Sequence, residues 1–204
     1  MKIAILIIVL AIVAVNSYAE EGDIFALENN KDWSSMVLRL PDRVSFRAVT
    51  LTHSNEFTIH LTADRFINDC NTSSLTLNIA LPKNSNQSFA GNIGLGQFRV
   101  DSYQVHDMRY QLVFEEGDGS AYLNIIDWNK GSTLFYEMMR GSVIRFKFGD
   151  FGNEAYIRFS LMGFTRAMNR TQQLCHHYVS LSKQNDSSYF NRTPSRRNDA
   201  DYFN

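Results

Sequence analysis

From Phe57 to Ala63 the chain alternates apolar and polar side chains at every step, with Phe57, Ile59, Leu61 and Ala63 falling on one side. That period of two marks a strand with one face buried. The same rhythm returns in Leu75, Leu77, Ile79 and Leu81, and in Met108, Tyr110, Leu112 and Phe114. It returns again in Ile144, Phe146 and Phe148 against Arg145 and Lys147, and in Ile157, Phe159 and Leu161 against Arg158 and Ser160. Weaker strands are expected over Met36–Leu40, Val44–Leu51, Phe98–Ser102 and Tyr122–Asp127. Turn-forming residues separate them at Pro41-Asp42, Asn84-Ser85-Asn86, Glu116-Gly117-Asp118-Gly119 and Gly149–Asn153. Strands of this length and spacing predict an all-β fold, an antiparallel β-sandwich of about eight to nine strands.

Two stretches change period. Ser132 is placed to cap a short helix with Leu134, Phe135, Met138 and Met139 on one side and Gly141 as its stop. From Phe164 onward, Ala167, Met168, Thr171, Leu174 and Cys175 form one stripe, while Arg166, Asn169, Arg170, Gln172 and Gln173 face away. This predicts a C-terminal amphipathic helix of three turns, laid across an open edge or end of the sheets.

The ends read differently. Met1-Lys2, an apolar run from Ile3 to Val15 and the small residues before Glu20 follow the pattern of a signal peptide over 1–19. Thirteen apolar residues are short for a membrane span. The folded domain is then expected over 20–181. From 182 to 204, Ser, Asn, Asp and Arg dominate, which predicts a disordered polar tail. That tail repeats itself: Tyr189-Phe190-Asn191 and Tyr202-Phe203-Asn204 each follow an Asn-Asp stretch, making Tyr189, Phe190, Tyr202 and Phe203 candidate docking anchors.

Composition narrows the function. With 20 basic and 21 acidic residues the chain lacks the electrostatic footprint of a nucleic-acid binder, and its 15 Phe and 9 Tyr suit a β-rich core. Its two cysteines, Cys70 and Cys175, both lie beyond the export signal, where an oxidising compartment favours a disulfide. A bridge closes a loop of ~100 residues and ties the last helix to the sheet, worth ~4–5 kcal/mol in the chain-entropy account. A nucleophilic Cys175 needs a histidine across a cleft, whereas His176 and His177 follow it in sequence and diverge from it. A metal site from the same trio lacks chelating spacing and a fourth ligand. "GNIGLG" at 91–96 precedes a strand and "DFG" at 150–152 sits in a turn, so neither is a phosphate or kinase element. His60 lies on the polar side of its strand and reads as a surface residue. No catalytic residue, metal ligand or cofactor is expected.

One stretch carries a resemblance. Phe98-Arg99-Val100-Asp101, Phe146 to Phe148 and "FSLMGFTRAMNRTQQLC" from Phe159 to Cys175, with Cys70 in the first half, are similar to periplasmic bacterial proteins of the VasI type, associated with type VI secretion. The invasion-associated locus B proteins share the closing signature. The resemblance implies a non-enzymatic envelope protein. The expectation is therefore an exported, periplasmic binding or accessory protein with a protein partner in an envelope or secretion apparatus. The alternative is an immunity or inhibitor protein directed at a toxin.

Overall fold

The computed structural model describes residues 22–40, 42–54, 57–80, 91, 93–114, 120–126, 131–149 and 154–191. The signal-peptide expectation for 1–19, most of the turn residues noted above, and the tail from 192 to 204 lie outside this set. The elements in chain order are β1 (Asp23–Asn30), β2 (Trp33–Arg39), β3 (Val44–Ser54), β4 (Phe57–Phe66), β5 (Asp69–Ala80), β6 (Ile93–Val100), β7 (His106–Phe114), β8 (Ser120–Ile125), α1 (Gly131–Arg140), β9 (Val143–Phe148), β10 (Ala155–Ser160) and α2 (Phe164–Asn191).

All strand pairs are antiparallel, and the ten strands form one sheet in the order β1-β2-β3-β4-β5-β8-β7-β6-β9-β10. The sheet curls over so that its two halves face each other, giving an all-β, sandwich-like fold. Ala48, Leu61 and Leu77 from the first half share a core with Phe98, Phe146 and Phe159 from the second. The strands arise where alternation predicts them: Ile59, Leu61 and Ala63 of β4 are buried opposite Ile79, Leu77 and Leu75 of β5. Some segments go beyond expectation, β5 among them, which starts six residues before Leu75. β1 is an added edge strand, bulged between Phe25 and Glu28 with Ala26 at φ 51°, and β6 starts five residues before Phe98.

The first and last elements meet. The Trp33 indole Nε1 donates to the Ser160 carbonyl at 2.8 Å, Asp32 N donates to Met162 O at 3.1 Å, and the Trp33 and Phe164 rings pack edge to face at 4.7 Å. Gly163 makes this junction feasible: its φ of +96° and its closeness to the Asn30 carbonyl leave no room for a Cβ.

α1 crosses between β8 and β9 and buries Leu134 and Met138, with Glu137 bonded to the buried His106. α2 buries the predicted stripe, with Phe164, Ala167, Met168, Thr171 and Cys175 inside and Arg166, Asn169 and Gln173 outside; Leu174 is half-buried. It runs for 28 residues, not three turns. Helical backbone continues as far as Asn191, into the stretch expected to be a polar tail. A helix already docked and clamped extends at little cost, since propagation fixes one residue per new hydrogen bond whereas nucleation fixes several. Its later turns start from Tyr178 and Val179, packed beside Phe46, and the Ser182 hydroxyl caps back onto their carbonyls.

Candidate binding surface

Cys70 and Cys175 form a disulfide with Cα atoms 5.7 Å apart. Cys70 sits at the start of β5 and Cys175 in mid-helix, so the bridge pins α2 over the face that carries Phe46. Both sulfurs are buried. Cys175 therefore acts as a clamp. His176 and His177 are exposed on the far side of the helix. Among the described residues no three His, Cys, Asp or Glu side chains converge as a metal site would need, and no helix is long and apolar enough to cross a membrane.

The backbone of Tyr189 and Phe190 lies in the last turns of α2, and Tyr202 and Phe203 lie outside the described residues. A shallow open cleft beside α2 is lined by Glu28, Thr165, Arg166, Asn169, Arg170 and Gln173. Its charges are already spent on fastening the helix. Glu28 meets Arg170 Nε at 2.8 Å and Arg166 at 3.3 Å, while Arg170 also donates to the Ser35 hydroxyl at 3.1 Å.

On the outer face of the first half, Arg47 clasps Asp64 through two hydrogen bonds of 2.8 and 3.0 Å, and Ser45 donates to the same carboxylate at 2.8 Å. His60, expected at the surface, is half-buried nearby. Burial pushes its imidazole below the ordinary histidine value, and the charges of Arg47 and His53 add to the shift. The Asp64 carboxylate is thus already held by Arg47 and Ser45.

The outer face of the second half differs, and β6 is the reason. Its sequence, IGLGQFRV, places Gly94 and Gly96 on the core side and Ile93 and Leu95 on the outside, 60% and 61% exposed. Steric fit fixes this phase. The Tyr110 ring of β7 lies where a Gly94 Cβ would be, and Met108 with the Lys147 carbonyl crowds Gly96. The large aliphatics are thereby turned outward, in line with Gln97 and Arg99. Tyr156 of β10, on the same face, is 63% exposed.

Register then aligns charge. Arg99 of β6 pairs with Arg145 of β9, and Arg145 pairs with Arg158 of β10. All three are exposed, and facing neighbours on one sheet face stand about 5 Å apart. Lys147 lies in the next row, where it bonds Glu154 at 2.6 Å, and Asp107 accepts from Gln97 at 2.9 Å. The Arg99–Asp101 motif anchors one end of the row. Arg99 donates to the carbonyls of Tyr103 at 2.8 Å and Ser102 at 3.3 Å; Asp101 accepts from Ser142 N at 2.7 Å and Val143 N at 3.0 Å, holding the corner between α1 and β9.

The sequence showed each of these arginines as a polar position in a strand, but only pairing register puts them side by side. No family model, curated protein or solved structure matches the chain, so the reading of this surface rests on its own residues.

Proposed function

We propose that this chain is an exported, periplasmic, non-enzymatic binding or accessory protein of a bacterial envelope or secretion apparatus, working through the outer face of β6, β7, β9 and β10. The observation that carries this reading is that face itself. Ile93, Leu95 and Tyr156 stand exposed on the same sheet face as a row of arginines. Aromatic, aliphatic and arginine side chains presented together on a fixed scaffold are the composition of an interface core. The buried disulfide suits an oxidising compartment, and the apolar run from Ile3 to Val15 suits export to it.

The test is capture from envelope extract with the oxidised protein and with an Ile93→Asp/Leu95→Asp variant. The variant is expected to fold normally, since both side chains already face water, and to lose the partner. Equal capture by both proteins removes this face from the function. A captured toxin instead of an envelope or secretion component turns the assignment to the alternative, an immunity or inhibitor protein.

A further inference from the structure

We infer that the partner presents an acidic polypeptide segment, laid across the strands so that its carboxylates pair with Arg99, Arg145 and Arg158. The inference rests on the binding reading above and names the chemistry of the partner. Its starting point is an arrangement that works against the fold. Like charges directly opposite on adjacent strands repel, and here the repulsion is repeated across β6, β9 and β10. Among the described residues, none of the three arginines has a carboxylate partner; Arg99 is held only by backbone carbonyls, which fix its position without neutralising it. Lys147 and Arg47, by contrast, each have a carboxylate at bonding distance.

The geometry selects among anions. Strands lie about 4.8 Å apart, so the guanidinium stems repeat at that interval. Carboxylates three and four residues apart on one helix face repeat at about 5–6 Å, close enough for flexible arginine stems to meet in sequence. Guanidinium groups also match carboxylates as planar forks, a geometry that lysine cannot offer. A lipid headgroup layer fits less well. Asp107 and Glu154 share this face and a uniformly negative surface would repel them, whereas a discrete acidic segment can pass between. Tyr156 lies in the row next to the arginines, two residues along β10 from Arg158, and supplies apolar contact for the same segment.

The experiment uses the oxidised full chain and a fluorescein-labelled helical peptide with glutamates at every third and fourth position. Its controls are the glutamine version of that peptide and phosphatidylglycerol vesicles. Anisotropy is expected to show binding to the glutamate peptide that weakens as salt rises. Affinity should fall at least tenfold in both Arg145→Glu/Arg158→Glu and Arg145→Gln/Arg158→Gln. The glutamine variant should melt at or above the wild-type temperature, because it relieves repulsion. Equal binding of the glutamate peptide by wild type and the glutamine variant overturns the inference, as does binding of vesicles without the peptide. Envelope capture keeps the two readings apart. A partner retained by Arg145→Glu/Arg158→Glu but lost by Ile93→Asp/Leu95→Asp sinks the acidic-segment inference and leaves the binding reading standing. Peptide binding with no partner lost by either variant overturns both, since the captured partner then uses neither the aliphatics nor the arginines of this face.

Discussion

At Gly94 a side chain would have to share space with the Tyr110 ring, and that collision decides which way β6 faces. Gly94→Val is therefore expected to cost about 1–3 kcal/mol as an overpacked core position, read as a lower urea midpoint. A neutral result would mean that the aliphatics are not held outward by this contact. Hydropathy alone points the other way: Ile93 and Leu95 look like core residues and the glycines like gaps. For that reason the apolar half of the surface could not be read from the sequence. His60 gives a second test at this scale. Its folded value lies below the unfolded one, near 6.5, chiefly because burial disfavours the charged ring. The unfolded chain thus binds the proton first. Stability is complete above about pH 6.5 and declines as pH falls from there through the folded value. His60→Gln should flatten that decline when urea midpoints at pH 7.5 and 5.5 are compared. Parallel slopes in the two proteins would assign the pH response to other groups.

Among the elements, α2 shows how far a stripe can be trusted. The apolar positions from Phe164 to Cys175 were legible because they follow a period of 3.6 and meet a sheet. The helix end was not legible, since beyond Leu181 propagation from a fixed helix outweighs a polar composition that on its own predicts disorder. β1 was missed for a different reason. It is an edge strand in which Phe25 and Leu27 are both exposed, and its bulge breaks the alternation that would have revealed it. The packing of α2 makes a quantitative prediction. Met168 is buried in the main core, so Met168→Ala should cost about 2–4 kcal/mol. Cys175→Ser acts on another part of the same helix. It opens a closure of 105 residues, a loss of about 4–5 kcal/mol in the chain-entropy account. Hydrogen exchange should then show α2 beyond Thr171, where the small cluster of Phe46, Leu174, Tyr178 and Val179 holds it, losing more protection than β6 to β9. Uniform loss across the sheet would show that the clamp supports the whole domain rather than the helix.

For the molecule as a whole, the decisive contact joins residues far apart in the chain. Trp33 and Ser160 are 127 residues apart, yet one hydrogen bond and the Phe164 ring lock the first hairpin against the last strand. Periodicity reports which side of an element is buried but not which distant element covers it, so the sandwich could be expected while its single curled sheet and its point of closure could not. The same closure keeps the face of β6, β9 and β10 rigid, because the core behind it is filled from the opposite half of the sheet. Trp33 is fully buried, and its replacement separates packing from hydrogen bonding. Trp33→Phe keeps most of the ring but leaves the Ser160 carbonyl unpaired, an expected cost of about 1 kcal/mol. Trp33→Ala also removes the packing between the halves and should cost about 3–5 kcal/mol. Guanidinium unfolding followed by far-ultraviolet circular dichroism distinguishes the two, with an unchanged slope showing that both variants still unfold as one unit. If Trp33→Ala loses no more than Trp33→Phe, the halves are held together elsewhere, and the rigidity of the binding face has another source.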